Sequence, residues 1–183
     1  TSAWFYDTQM LSADCFVAMG AAAVKTQKIR LGTGVLIPSN RIAPVAANAL
    51  ASLNQLAPGR VDFGIGTGFT GRRAMGLGAL KLAEMEDYIT VVYSLLAGQT
   101  IERDFDGKLR KIRFLNPDAG LINTEDPIKL HVSAYGPRGR TLTAKMNAGW
   151  IFFFNGIDEG ISGLKDMQIS WEKAGLKKQD LGA

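Results

Sequence analysis

The sequence predicts an α/β fold in which a mainly parallel sheet is covered by helices. Its 183 residues suit one domain with a substantial core. Short apolar strands alternate with amphipathic helices about five times, and glycine turns follow several strand ends. Parallel strands need crossover connections, and helices in those connections bury their apolar faces on the sheet. This pattern leaves two architectures open, a doubly wound sheet and a (β/α) barrel.

The first strand–helix unit begins with the aromatic run at residues 3–6, which is typical of a strand. Ser12 is placed to cap the next helix, because a hydroxyl side chain before an apolar helical pattern can accept a backbone N–H. The helix is predicted from five apolar or small residues at helical spacing, namely Phe16, Met19, Gly20, Ala23 and Val24.

The second unit combines a strand over residues 29–37 with a helix that starts near Pro44. Glycines within the strand indicate a bulge or a place where a ligand approaches the backbone. Pro38 ends the strand, and Pro58-Gly59 ends the helix. The helix has one apolar stripe, formed by Ala46, Ala49, Leu50, Leu53 and Ala57.

The third unit has a strand over Val61–Ile65 and the clearest amphipathic helix of the chain. The apolar positions of that helix are Leu82, Met85, Ile89, Val92, Tyr93 and Leu96. Residues 100–127 then interrupt the alternation, and Asp106-Gly107 among alternating charges predicts a hairpin turn. We therefore interpret residues 100–127 as an insertion in the strand–helix order.

The alternation resumes with a predicted strand over residues 128–133 and a helix over residues 140–147. Another strand is predicted over residues 150–154. Trp150 and the aromatic run Phe152, Phe153 and Phe154 could stack on a ring, but we place them in the core because strand aromatics are more often buried. The last predicted helix carries Leu164, Met167, Trp171 and Ala174.

Composition and charge argue against several functional classes. The 21 Lys and Arg against 17 Asp and Glu give a net charge of +4, too small an excess for a dedicated nucleic-acid surface. No apolar run approaches the roughly 20 residues of a membrane span. With one Cys and one His, the chain has no intrachain disulfide and too few of these ligands for a structural zinc site. We therefore expect a cytoplasmic protein that holds no metal.

The turn at residues 66–71 follows a predicted strand and matches the dinucleotide pattern G-x-G-x-x-G. A Rossmann site also needs an acidic residue after the next strand, about 20 residues later, whereas the acidic residues there fall within a helical pattern. Small residues after a strand still let backbone N–H groups approach an anion, with Arg72 and Arg73 as counter-charges. The alternative is a tight glycine turn with two solvated arginines.

A second loop, at residues 133–140, has the same design, with a glycine turn and two arginines between a strand and a helix. If both strands belong to one parallel sheet, both loops lie at its carboxyl edge, where α/β proteins generally bind ligands. The two loops together therefore indicate a ligand site at that edge.

Several segments resemble the luciferase-like monooxygenase family. They are residues 31–35, the block at 53–68, and the turn at 134–137 with the helix that leads to residues 148–150. Within the family the pattern is most similar to the deazaflavin-dependent reductases, such as methylenetetrahydromethanopterin reductase. The resemblance implies a TIM (β/α) barrel that binds FMN or a deazaflavin coenzyme, in an oxidoreductase acting on a small organic substrate.

The resemblance also implies site residues. Asp7 matches an acidic residue near the ring and the substrate, and it is our candidate catalytic residue. The structural alternative for Asp7 is an N-terminal cap or turn acceptor for the following helix. Gly34-Val35 matches a bulge with a non-prolyl cis peptide that presses on the isoalloxazine ring. The other matches border the ribityl and phosphate region of the cofactor, and they are Gly66, Thr67, Gly68, Arg72, Ala134, Tyr135 and Gly136.

Thr8 departs from part of the family, because several deazaflavin enzymes carry a histidine there that serves the chemistry. A proton-transfer role at this position is therefore not implied. The cofactor would determine the reaction, which is hydride transfer to or from carbon with a deazaflavin, or monooxygenation with FMN reduced by a partner flavin reductase. The family is commonly dimeric, so the resemblance also implies a homodimer.

The length is a second departure, because a TIM barrel has eight strands and typically about 250 residues, and this chain supplies about five strands. We expect one barrel domain over residues 1–183 that is a fragment of a longer protein, with the insertion at 100–127. The alternative is a truncated, non-catalytic flavin-binding subunit that needs a partner to complete its barrel.

Other side chains have both a functional and a structural interpretation. His131 could act as an acid or base near the ring, although a histidine inside a strand is more often a satisfied interior residue. We interpret Cys15, beside the first apolar helix stripe, as a packed hydrophobe. A solvated strand face explains the basic residues of the insertion, with substrate or polyglutamate contact as the alternative, and these are Lys108, Arg110, Lys111 and Arg113.

Overall fold

The computed structural model describes residues 1–176. Five strands form one parallel sheet, and their order in the sheet is their order along the chain. Two further strands pair with each other as an antiparallel hairpin. The strands are β1 (Ser2–Phe5), β2 (Arg30–Thr33), β3 (Val61–Ile65), β4 (Ile101–Phe105), β5 (Lys108–Ile112), β6 (Lys129–Ser133) and β7 (Gly149–Ile151), of which β4 and β5 form the hairpin.

Helices follow each of the five parallel strands, and most of these helices pack against one another in chain order. They are α1 (Cys15–Lys25), α2 (Ala43–Leu56), the short α3 (Phe69–Arg73), α4 (Leu82–Leu96), α5 (Pro137–Lys145) and α6 (Ile157–Lys173). Contacts run from α1 to α2, from α2 to α4, from α4 to α5 and from α5 to α6. A doubly wound sheet reverses its strand order, whereas a (β/α) barrel does not. The unreversed order therefore identifies a half-barrel, and the doubly wound alternative is excluded.

The core lies between the sheet and the helices. Strand β3 is buried along its whole length, and Val61, Phe63 and Ile65 pack in one apolar cluster with residues of α2 and α4. Because side chains of a strand alternate between faces, Asp62 and Gly64 face the barrel interior. None of the helices in residues 1–176 is both long and apolar enough to cross a membrane.

The structure corrects the predicted start of two helices. Asp14, not Ser12, caps α1, because its carboxylate accepts the N–H groups of Phe16 and Val17. The Ser12 hydroxyl instead donates to the Thr8 carbonyl. Helix α5 begins at Pro137 rather than near residue 140, since proline suits the first turn of a helix.

Strand β2 ends at Thr33, earlier than the predicted end at Ile37. Just beyond the end of β2, the Gly34-Val35 peptide bond is cis, as the resemblance implies. Beyond it the chain rejoins the sheet at a single bridge between Leu36 and Ile65.

The aromatic run after β7 also differs from its prediction. Phe153 and Phe154 are 58% and 55% exposed, so their assignment to the core is wrong. The last ladder pair of the strand joins Ser133 to Ile151, and beyond it no backbone pairing directs the side chains toward the core. Trp150 remains partly buried, and its indole N–H donates to the Ala134 carbonyl at 2.7 Å.

The hairpin turn lies where the sequence predicts it. Asp106 and Gly107 have φ values of 55° and 72°, the left-handed conformations that a tight two-residue hairpin turn needs. The basic side chains on and after β5 are exposed, as a solvated strand face requires, and they are Lys108, Arg110, Lys111 and Arg113. Contact of these side chains with a substrate or a polyglutamate tail stays a prediction. The end of the predicted domain, residues 177–183, lies outside the described residues.

Candidate functional site

The two glycine loops predicted from the sequence follow the neighbouring strands β3 and β6. Together with residues that follow β1, β2 and β7, they line a cavity of about 690 Å³, here called the loop cavity. This volume lies within the usual range for cofactor and ligand sites. The lining residues are Tyr6, Thr8, Gly34, Val35, Ile37, Gly66, Thr67, Gly68, Phe69, Thr70, Gly71, Ser133, Tyr135 and Phe153.

Most of the predicted cofactor residues meet at this cavity. Six of them line it, namely Gly34, Val35, Gly66, Thr67, Gly68 and Tyr135. The other three, Arg72, Ala134 and Gly136, are adjacent along the chain but do not line it. Ala134 is buried, and its carbonyl accepts the Trp150 indole N–H, so its role in the structure is to anchor the strand end.

Glycine is required where the loop after β3 approaches the segment after β2. A Cβ atom on Gly66 would lie 2.6 Å from Cγ2 of Val35 and 3.4 Å from Cβ of Ser133. Gly68 has a φ of 76° and precedes α3 as its N-cap. The loop therefore presents backbone, rather than side chains, to the cavity at these two positions.

The arginines of the two loops have different surroundings. Arg73 stacks on Phe69, with its guanidinium carbon 3.8 Å from the ring centroid, and Arg72 donates to the Gly78 carbonyl. Within residues 1–176, neither of these arginines forms an ion pair with a carboxylate. Arg140 differs, because it donates to Asp166 at 2.9 Å and to the Tyr135 carbonyl at 2.7 Å. Arg140 thus fixes the loop after β6, while the arginines after β3 carry uncompensated charge.

Asp7 lies beside the loop cavity rather than in its lining. Its side chain is 5% exposed, and Oδ1 lies 2.6 Å from Nη1 of Arg41. Oδ2 accepts the Ile37 N–H at 3.1 Å. The carboxylate borders a polar cavity of about 430 Å³, and Thr8 lines both this cavity and the loop cavity. Cys15 is 1% exposed, which confirms it as a packed residue, and burial together with the charge of Asp7 raises the pKa of its thiol to about 12.

His131 belongs to a polar cluster in the barrel interior. Its Nε2 lies 3.6 Å from Oδ1 of Asp62, and Arg30 donates to both oxygens of that carboxylate, at 2.8 and 2.6 Å. Burial raises the pKa of the Asp62 carboxyl, but Arg30 and His131 outweigh it and hold this pKa below its usual value. The ring of Trp4 meets His131 edge-on, with centroids 4.9 Å apart. His131 also borders a small cavity that shares Tyr6, Gly34 and Phe153 with the loop cavity.

Sequence reasoning missed several residues that build this region. Gln9, Asn40 and Arg41 connect loops through contacts between positions that are 31 to 62 residues apart. No local spacing signals such pairs. Sequence reasoning also misses Phe153 as a lining residue of the loop cavity, because strand aromatics are usually buried in the core.

Comparison with known proteins identifies relatives of this chain. The model of the luciferase-like monooxygenase family matches residues 1–182. An F420-dependent glucose-6-phosphate dehydrogenase of Beutenbergia cavernae is 36% identical over 140 residues, which cover 73% of this chain and 40% of that protein. A 5,10-methylenetetrahydromethanopterin reductase of Methanolobus tindarius is 27% identical over 169 residues, covering 90% and 48%. A limonene 1,2-monooxygenase of Rhodococcus erythropolis is 32% identical over 134 residues, covering 72% and 34%.

Solved structures show the same fold. The coenzyme F420-dependent tetrahydromethanopterin reductase of Methanopyrus kandleri superimposes with a TM-score of 0.79 and 19% identity, over 98% of this chain and 55% of that one. The oxygenating constituent of 3,6-diketocamphane monooxygenase of Pseudomonas putida, in complex with FMN, gives 0.78 and 14%, over 96% and 54%. This chain therefore spans only about a third to a half of the length of these relatives. Because the family model covers nearly the whole chain, this protein belongs to the luciferase-like monooxygenase family.

Proposed function

We propose that this protein is an oxidoreductase that binds a deazaflavin coenzyme or FMN in the loop cavity and acts on a small organic substrate. The main support for this proposal is that both glycine loops and the Gly34-Val35 segment line one cavity. This cavity lies at the carboxyl edge of the half-barrel. In barrel enzymes of this architecture, ligands bind at that edge.

The residues present fit such a cofactor. Apolar and aromatic side chains on the lining suit a flat ring system, and these are Tyr6, Val35, Ile37, Tyr135 and Phe153. The hydroxyls of Thr67, Thr70 and Ser133 suit the polar ribityl chain. Arg72 and Arg73, without carboxylate partners among the described residues, suit a phosphate.

When bound, a deazaflavin supplies hydride transfer and FMN supplies oxygen chemistry. The chain's own residues would orient the ring against the Gly34-Val35 segment and keep bulk water from the apolar part of the cavity. Asp7 is our candidate for the catalytic carboxylate. Arg41 and the Ile37 N–H hold it in one orientation at the polar cavity beside Thr8, so a substrate spanning both cavities would bring its reacting carbon near this carboxylate.

The names of several relatives favour the deazaflavin. F420 appears in the names of the dehydrogenase and of the superimposed reductase, whereas FMN appears in that of the camphane monooxygenase structure. We therefore propose hydride transfer as the first candidate reaction and FMN-dependent monooxygenation, with a partner flavin reductase, as the second. A second copy of the chain is the partner that the family resemblance implies.

The direct test is to identify what the protein binds. We would record the visible spectrum of protein from its native host and determine the mass of any small molecule released on denaturation. A deazaflavin with a glutamate tail would support hydride transfer, and FMN would support the oxygen-using branch. If a bound cofactor dissociates during purification, titration of the purified chain with each cofactor still measures its binding. No binding of either would contradict the proposal, while binding without turnover would favour the non-catalytic subunit.

A variant at Gly34 tests the placement of the ring. A Cβ at this position would lie 2.9 Å from Cβ of Trp4, so Gly34→Val should displace the segment and lower cofactor affinity about tenfold or more. Gly156→Val is the matched control, because Gly156 is exposed, has an extended backbone and has open space around it. Equal affinity of the Gly34 variant and wild type would contradict the assignment.

A further inference from the structure

The glycine loop after β3 depends on residues outside itself for its position. Its helix α3 has only five residues, and only Gly71 among them is buried. Phe69 is 59% exposed, and Thr70 and Arg73 are also exposed. So short a helix has little intrinsic stability, and most helical stability in proteins comes from packing. Contacts to Gly71 therefore help to place this loop, together with the bond from the Leu80 N–H to the Thr67 carbonyl at 2.9 Å.

Gln9, in the loop after β1, makes the polar contact to Gly71. Its side-chain Nε2 donates to the Gly71 carbonyl at 2.7 Å, across 62 residues of sequence. Carbonyl groups in the last turn of a helix have no partner within the helix, and the following N–H groups here bond to Thr70, Arg72 and Arg73 instead. Gln9 thus satisfies a carbonyl that the short helix leaves open.

The orientation of the Gln9 amide is fixed by Asn40. The Asn40 Nδ2 group donates to Oε1 of Gln9 at 2.9 Å and to the Asp7 carbonyl at 3.0 Å. Since Oε1 already accepts from Asn40, Nε2 is the end that faces Gly71. One side chain therefore ties together the loops after β1, β2 and β3.

Gly71 is packed closely against both Ile37 and Gln9. A Cβ atom on Gly71 would lie 2.6 Å from Cδ1 of Ile37 and 2.9 Å from Oε1 of Gln9. Ile37 and Gly71 both line the loop cavity, as do Gly68 and Thr67 earlier in the same loop. A shift of the Gln9 contact would therefore move the cavity wall directly.

We propose that Gln9 is a positioning residue that places the glycine loop after β3 for the phosphate end of the cofactor. This inference rests on the proposed function, in which that loop borders the ribityl and phosphate region. It requires an N–H donor at position 9. A glutamate there would set a carboxylate oxygen against the Gly71 carbonyl, and a methionine would fill the same space without a donor.

The test compares Gln9→Glu and Gln9→Met with wild type in equilibrium titrations. Each protein is titrated with the cofactor that wild type binds and with the phosphate-free form of that cofactor, which is riboflavin in the case of FMN. We expect both variants to lose about five- to tenfold in affinity for the phosphate-bearing cofactor and less than about twofold for the phosphate-free form. Gln99→Glu, at an exposed position after α4, is the matched control for the added charge and should equal wild type.

Two results would overturn the inference while leaving the proposed function intact. One is unchanged affinity for the phosphate-bearing cofactor in both variants. The other is an equal loss for both forms together with a lower melting temperature, because that pattern indicates only general destabilisation. If wild type binds neither FMN nor a deazaflavin, the proposed function fails first, and the role of Gln9 fails with it.

Discussion

Among residues 1–176, two buried aspartates each pair with a partly buried arginine, and the two pairs differ in what holds them. Asp62 and Arg30 lie on adjacent strands β3 and β2, where the parallel ladder sets their separation. Asp7 and Arg41 lie in the loops after β1 and β2, outside any ladder. Arg30 binds both oxygens of its partner, whereas Arg41 divides its guanidinium between Asp7 and Asp14.

The Asp62 pair stabilises the sheet, whereas the Asp7 pair stabilises the loops around the candidate site. The Asp62 pair, with His131, fills the barrel interior, and Arg30 also donates to the carbonyls of Gly59 and Val61. The Asp7 pair joins two loops and also holds the backbone of Ile37, which lines the loop cavity. We therefore expect loss of the first pair to affect folding alone, and loss of the second to affect cofactor binding as well.

The largest effect is expected from Arg30→Met. This change leaves the Asp62 carboxylate buried without its main partner, which typically costs about 3–5 kcal/mol of unfolding free energy. Urea unfolding at neutral pH measures it. The double variant Arg30→Met, Asp62→Leu should recover part of the loss because the stranded charge is gone. A loss below about 1 kcal/mol in the single variant would show that the Arg30–Asp62 pair contributes little to the free energy of unfolding.

Arg41→Met should have a smaller effect on stability and a larger one on the site. Asp7 keeps the Ile37 N–H and borders the polar cavity, so we expect a loss of about 2 kcal/mol of unfolding free energy. Freed loops should also lower cofactor affinity about tenfold. Titration of the folded protein checks this, with Arg30→Met as the comparison. Equal cofactor affinities for the two variants would remove the distinction between the pairs.

A smaller effect concerns acid stability. The pKa of Asp62 is lower in the folded protein than its usual value, so its ionised form stabilises the fold above the unfolded pKa. This contribution is lost as the pH falls through about 4 and below. The unfolding free energies of wild type and Asp62→Asn should therefore converge between pH 6 and pH 3. A constant difference across this range would contradict the role of the ionised carboxylate.

The smallest effect is expected from Gly20→Ala, a change outside both ion pairs that serves as a reference for the two arginine variants. Gly20 lies inside α1, and a Cβ there would meet no atom within 4 Å. Alanine should stabilise the helix by about 0.5–1 kcal/mol. Thermal unfolding measures this gain, and cofactor affinity should stay at the wild-type value. A destabilised variant would contradict the open space around Gly20.

Much of the fold follows from local patterns. The sequence predicts the strand Val61–Ile65 with its observed limits, and it predicts the helix from Leu82 with an end near Gly98, two residues beyond its observed last residue Leu96. Apolar spacing and flanking residues act within a few positions, so such elements are readable locally. The turn at Asp106-Gly107 was predicted for the same reason, since two consecutive residues determine it. Both glycine loops, and their common edge, also followed from strand–loop–helix order.

Other features depended on tertiary structure. Sequence patterns left the barrel and the doubly wound sheet open, and the unreversed strand order decided between them. The family resemblance pointed to Asp7, but only the folded chain showed Arg41 and Ile37 as its partners. Phe153 is exposed rather than in the core because the ladder of β7 ends at Ile151.

Local sequence patterns are enough to predict the strand–helix alternation, the glycine loops and the family resemblance. Which loops meet becomes visible only in the folded chain, through contacts such as that of Gln9 with Gly71. These two kinds of feature depend on interactions of different range. Helix, strand and turn preferences act between near neighbours, whereas a hydrogen bond between two loops depends on the register and curvature of the whole sheet.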